Sequence, residues 1–261
     1  VAELLHRHHV GALQLRCAPD EPVHVGLSPR ARSAVRRDLR TAGLTLIGLA
    51  TYVRLSDDAN GLAEHLALAQ DLGAPSLRLM PGGPDPLAGD SEPPHPGAPT
   101  SSPVDAGLRP SDALVARAAE TLHAAADLAA PTGVRLLVET HDAFLRGTDL
   151  RRLLDLADVH PPAVGAIWDA MHPWRAGEPP AETAHALAPW LAEVQIKDVA
   201  SPADRTPLIP GTGAVPCREV LARARETGFT GPVVLEHEAR WYPDAAPVDD
   251  AIAAAKALVK E

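Results

Sequence analysis

The sequence predicts an α/β fold, a (β/α)8 barrel that reads one strand short. Short apolar runs alternate with longer amphipathic segments rich in Ala, Leu, Arg and Glu along the 261-residue chain, often divided by Gly. Several runs are almost continuously apolar, as parallel strands covered by helices must be. Many of the runs end in a polar residue able to do chemistry, among them Arg78, Glu139, Asp169, Gln195, Lys197 and Glu236, where a barrel carries its active side chains. The competing architecture is a doubly wound sheet with a glycine-rich turn after its first strand, and no G-x-G-x-x-G is present.

The chain opens with a helix-like Val1–His9, and Ala12–Arg16 is the first strand. Ser28 and Pro29 give an N-cap followed by proline at the first helical position, and Gly43 stops that helix. The strand Leu44–Ala50 follows. The helix Ala59–Leu72 ends at Gly73, before the strand Pro75–Met80. Ser111 caps a long helix reaching about Pro131, followed by the strand Val134–Glu139. Then come the helix Thr148–Val159, the strand Ala163–Asp169, the helix Ala181–Ala188 and the strand Leu191–Lys197. The helix Pro216–Thr227, the strand Pro232–Glu236 and the helix Val248–Val259 complete the series. No shift in composition marks a boundary, so a single domain over residues 1–261 is expected. Seven strands, one fewer than eight, lead to the expectation that the first barrel strand is missing or truncated. Residues 81–110 hold nine prolines with no apolar periodicity, as in a flexible surface insertion or a flap over the polar rim.

Composition narrows the function. Hydrophobic residues make up 46% of the chain and aromatics only 3%, so the core is built from Leu, Val, Ile and Ala. The two cysteines, Cys17 and Cys217, are far apart and form no disulfide framework or thiolate zinc site. A net charge of -10 opposes bulk binding to nucleic acid. No apolar run reaches the roughly 18 residues of a membrane span, and no signal-like segment opens the sequence. A soluble, cytoplasmic protein without membrane or nucleic-acid partners is the expectation.

The strand ends carry the chemistry. Glu139 and His141 share one strand face, as do Gln195 and Lys197, and Glu236 and Glu238. Asp169 is followed by His172 in DAMHP. Three carboxylates on three strand ends would repel one another at one mouth unless paired or metal-bound, and oxygen-rich donor sets suit Mg²⁺ or Mn²⁺.

Four elements in order resemble the xylose isomerase-like TIM barrels of the sugar phosphate isomerase/epimerase type, which include keto-inositol enzymes and ketose 3-epimerases. These are VETH, D-x-x-H-P, QIKD and LEHE, with Glu139, Asp169, Gln195 and Glu236 spaced 30, 26 and 41 residues apart. The resemblance covers most of the chain from about Ala12. It implies one divalent ion, Mn²⁺ or Mg²⁺, held by Glu139, Asp169, Gln195 and Glu236. It also implies that Glu139 and Glu236 act as the acid/base pair next to a carbonyl, with Lys197 stabilising an enediolate oxygen. Arg78, His141, His172 and Arg240 would bind the hydroxyls, carboxylate or phosphate of a small polyhydroxylated substrate. Gln195 stands where the family has histidine; an amide oxygen is a weaker neutral donor and disfavours zinc. Isomerase or epimerase is the expected class, with a lyase or a non-catalytic binding barrel as alternatives. A DNA-repair nuclease on the same fold is disfavoured by the acidic charge and by too few strand-end histidines. The resemblance also makes a homodimer the assembly to test.

Overall fold

The computed structural model describes residues 1–87 and 109–261. Most of the proline-rich stretch, residues 88–108, therefore lies outside the described residues, as does any flap formed there. Seven strands make one parallel sheet in sequence order: β1 (Ala12–Arg16), β2 (Thr45–Arg54), β3 (Ser76–Met80), β4 (Arg135–Glu139), β5 (Val164–Asp169), β6 (Leu191–Ile196) and β7 (Val233–Leu235). Helix α1 (Ala2–Arg7) precedes the sheet. Helices α2 (Pro29–Thr41), α3 (Leu62–Leu72), α4 (Asp112–Ala129) and α5 (Gly147–Leu156) link the first five strands. A short α6 (Met171–Arg175) and α7 (Pro180–Leu187) join β5 to β6, α8 (Cys217–Glu226) joins β6 to β7, and α9 (Val248–Lys260) follows. Strands curling around one axis with helices outside them form a nearly closed β/α barrel.

Local chemistry explains most of the boundaries. Ser28 Oγ accepts from the Ala31 amide and Ser111 Oγ from the Leu114 amide, so α2 and α4 begin at side-chain caps. Helix α3 begins at Leu62 rather than Ala59, because Asp58, Ala59 and Gly61 adopt left-handed backbone (φ 55°, 49° and 80°). The sequence gives no sign of α6. Its N-cap is Ala170, and the Oδ1 of the preceding Asp169 accepts from the amides of Met171 (2.7 Å) and His172 (3.2 Å).

Alternation along the strands separates two environments. Leu77, Leu79, Leu136, Val138, Ala166, Trp168, Val194 and Ile196 face outward into a core completed by Leu66, Leu122, Leu150 and Leu153 of the helices. Intervening positions face the barrel interior and include Arg78, Glu139, Asp169, Glu193 and Gln195, all buried. Glycine at position 48 preserves interior space, since a Cβ there would lie 2.6 Å from Ser76 Oγ and 3.3 Å from Gln14 Nε2.

Among the described residues there are seven strands, and no ladder joins β7 to β1. Inside the barrel Gln14 on β1 donates to both oxygens of Glu193 on β6 (3.3 and 3.2 Å). Outside it α1 fastens to α9, with Arg7 and His8 meeting Asp249 at 2.9 and 3.0 Å and Lys256 donating to the His8 carbonyl. Among the described residues no helix is long and apolar enough to cross a membrane.

Candidate active site

Glu139 is the last residue of β4, Asp169 the last of β5, and Glu236 directly follows β7, its amide still bonded to the Ile196 carbonyl of β6 at 3.1 Å. The strand ends bring one carboxylate oxygen from each of the three to within 4.8 Å of the others. Glu139, His141 and His172 form a second group of the same tightness that shares Glu139. The His141 and His172 rings meet edge to face at 4.5 Å. Gln195 is paired in register with Asp169 across β5 and β6, so its side chain springs from the same level of the mouth.

Two buried cations compensate the carboxylates. Arg78 Nη1 lies 2.9 Å from Glu139 Oε2 and 3.8 Å from Glu236 Oε1, while its other nitrogens reach the Thr51 carbonyl at 3.3 Å. Lys197 donates to Glu238 and lies 3.6 Å from Glu236 Oε2. Arg240 is placed differently. It is half-exposed at the rim, paired with Glu21 and, at 3.1 Å, with Asp20. A cavity of about 340 Å³ opens here, lined among others by Gln14, Arg16, Arg78, Gln195, Glu236 and Trp241. The Arg16 guanidinium in its wall stacks on Tyr52 (4.7 Å) and Trp241 (4.0 Å).

Burial, followed by the neighbouring Glu236 and Glu139 charges, pushes Asp169 up to about 8. Burial also raises the Glu139 carboxyl, against the pull of Arg78. For Lys197 burial favours the neutral amine, but Glu238, Glu236 and Asp169 outweigh it and hold the ammonium. His141 is likewise disfavoured as a cation by burial, yet its Asp142 partner lifts it to about 9. The site at neutral pH thus contains fixed cations beside an Asp169 carboxyl that favours its protonated form.

A stability dependence follows from Asp169. A folded-state value above the unfolded one contributes stability that is complete below about pH 4 and is lost as pH rises through about 8. Metal-free protein is therefore expected to lose thermal stability between about pH 5 and about pH 8, and Asp169→Asn to make that decline shallower. Parallel melts of the two proteins at several pH values check this; identical slopes would contradict it.

Two buried acids beside the site were not assigned to it from the sequence. Asp198, adjacent to Lys197, is fully buried and accepts four backbone amides: Val199 (2.9 Å) and Val215 (3.0 Å) on Oδ1, and Gly211 (2.8 Å) and Gly213 (2.9 Å) on Oδ2. The glycine-rich turn therefore spends these amides on an internal carboxylate. Glu193, two residues before Gln195 on β6, is buried, and burial raises it to about 7. A glutamate within the otherwise strand-like LAEVQI run, in phase with Gln195, is the signal that could have found it.

Solved structures share the fold. That of the IolI protein with a bound zinc atom aligns with 99% of this chain and 91% of its own, at a TM-score of 0.72 and 14% identity. The probable 3-DHS dehydratase AsbF from Bacillus anthracis aligns with 100% and 92%, at 0.70 and 16%. D-Psicose 3-epimerase with D-tagatose, from Clostridium cellulolyticum H10, aligns with 99% and 90%, at 0.68 and 14%. Family and structural neighbours are thus mostly enzymes. Among curated proteins none matches this chain. Residues 2–258 match the family described as xylose isomerase-like TIM barrel, and with its barrel and strand-end carboxylates in place the chain belongs to that family.

Proposed function

We propose that this protein is a divalent-metal-dependent isomerase or epimerase of a sugar, sugar phosphate or keto-inositol, working by carboxylate-mediated proton transfer next to a carbonyl. One observation carries the reading: the convergence of Glu139, Asp169 and Glu236 within 4.8 Å at the barrel mouth. The donor set fits a cation. Asp169 Oδ2 and Gln195 Oε1 are buried without a hydrogen bond, and neither oxygen of Glu139 has one, although Oε2 meets Arg78. Buried acceptors of this kind are costly unless something positive joins them. Glu139, Asp169, Gln195 and Glu236 would hold the ion, and this all-oxygen set favours Mn²⁺ or Mg²⁺ over zinc. When bound, the metal supplies polarisation of a carbonyl and its neighbouring hydroxyl.

The chain's own groups supply the rest. Glu139 takes the proton at Oε1, the oxygen Arg78 does not contact, and its burial favours the protonated product. Glu236, more exposed and reached by both Arg78 and Lys197, returns a proton from the other side of the mouth. Arg78 and Lys197 offset the negative charge developing on the substrate oxygen. His141 and His172 present ring edges to substrate hydroxyls, and Arg240 provides a rim contact for an anionic end group.

The dehydratase AsbF among the structural neighbours favours one second reading, loss of water from the same carbanion. Incubation of Mn²⁺-loaded protein with ketoses, sugar phosphates and keto-inositols in D₂O tests both. Deuterium incorporated beside the carbonyl supports the first reading, and an unsaturated product the second. Exchange that persists unchanged in Glu139→Gln contradicts both.

A further inference from the structure

We propose that Glu193 is a positioning residue that fixes the side-chain amide of Gln195 with its oxygen, not its nitrogen, toward the carboxylate cluster. The inference rests on the metal-site reading above. Glu193 and Gln195 are i and i+2 on β6 and share the interior face. Gln195 Nε2 donates to Glu193 Oε1 at 2.9 Å. Its Oε1 diverges from the same carbon and remains buried without a hydrogen bond. Gln14 on β1 donates to both Glu193 oxygens across the barrel interior, and Gly48 leaves the room it needs. None of these contacts is needed to hold β6 in the sheet, which its ladders with β5 and β7 already do.

The physical reason lies in the symmetry of an amide. Gln195 is neutral in either orientation, but one presents a lone-pair oxygen to a cation and the other presents two N–H donors. A carboxylate only accepts hydrogen bonds, so Glu193 attracts the amide nitrogen and repels the amide oxygen. Such supporting contacts typically change metal affinity about 10- to 100-fold when removed. Glu193 thereby makes a glutamine usable as a ligand.

Mn²⁺ titration followed by electron paramagnetic resonance, with a metal-free melt of each variant, tests this without reference to turnover. Glu193→Leu is expected to weaken Mn²⁺ binding at least about tenfold. Glu193→Gln keeps one acceptor oxygen but adds N–H donors that no longer exclude the reversed Gln195 amide, and should fall between wild type and Glu193→Leu. In a Gln195→Ala background, Glu193→Leu should change affinity by less than about twofold. Should Glu193→Leu not fold, Glu193→Ala serves in the same comparison. Equal losses for Glu193→Gln and Glu193→Leu would overturn the proposal in favour of a charge effect, and an undiminished loss in the Gln195→Ala background would overturn it in favour of a structural one. Wild type that binds Mn²⁺ while Glu193→Leu binds equally well refutes the positioning role alone. Wild type without a Mn²⁺ site refutes the metal reading and this proposal together.

Discussion

Glu139→Gln and Glu236→Gln are each expected to lower turnover by roughly 10³-fold or more while leaving the fold intact. Glutamine keeps the size of the side chain and one acceptor oxygen, and removes the ability to take or give a proton. At position 139 the change also removes the negative charge that faces Arg78 at 2.9 Å, which argues for checking stability alongside activity. The half-buried Glu236 shares Lys197 with Glu238, so its substitution leaves that lysine paired. Solvent proton exchange with the best substrate class, read beside circular dichroism of each variant, checks the prediction. Near-normal exchange in either variant would remove that residue from the acid/base pair.

Asp198→Ala is expected to cost about 4 kcal/mol of stability, from four amides left without their acceptor. For a chain of this size that corresponds to a fall in Tm of about 10 °C. The carboxylate holds the loop between β6 and α8 beneath Lys197, so the substitution should also loosen the lysine. Asp198→Asn retains one acceptor oxygen but adds donors facing amides, and should recover less than half of the loss. Thermal melts of the three proteins decide it; a drop of under about 1 kcal/mol in Asp198→Ala would show that the loop stands without its carboxylate.

The strand positions were legible because burial by helices forces continuous apolar runs. All seven expected strands are present, within a few residues of their expected limits. Their ends were less so. Strand β2 continues to Arg54 rather than stopping at Ala50, and β7 shrinks to Val233–Leu235, since ladder partners, not composition, set those limits. The convergence of Glu139, Asp169 and Glu236 was readable from their shared place at strand ends. What they pair with was not. Arg78 could be a substrate contact or the partner of a carboxylate, and the β3–β4 register brings it to Glu139. Asp198 stands in QIKD, but its four amide partners were hidden, because they include a turn some 13 to 17 residues further along. Short helix α6 has its first two amides bonded to Asp169, the residue before its N-cap Ala170, which a local pattern containing Pro173 conceals.

Metal content distinguishes a barrel mouth that holds a cation from one that does not. Wild type and Asp169→Ala are loaded with Mn²⁺, separated from free ion by gel filtration and analysed for bound metal. The buried, unbonded oxygens of Asp169, Gln195 and Glu139 predict about one equivalent in wild type and almost none in the variant. Equal content in both, or none in either, would contradict a metal centre at the mouth of this barrel.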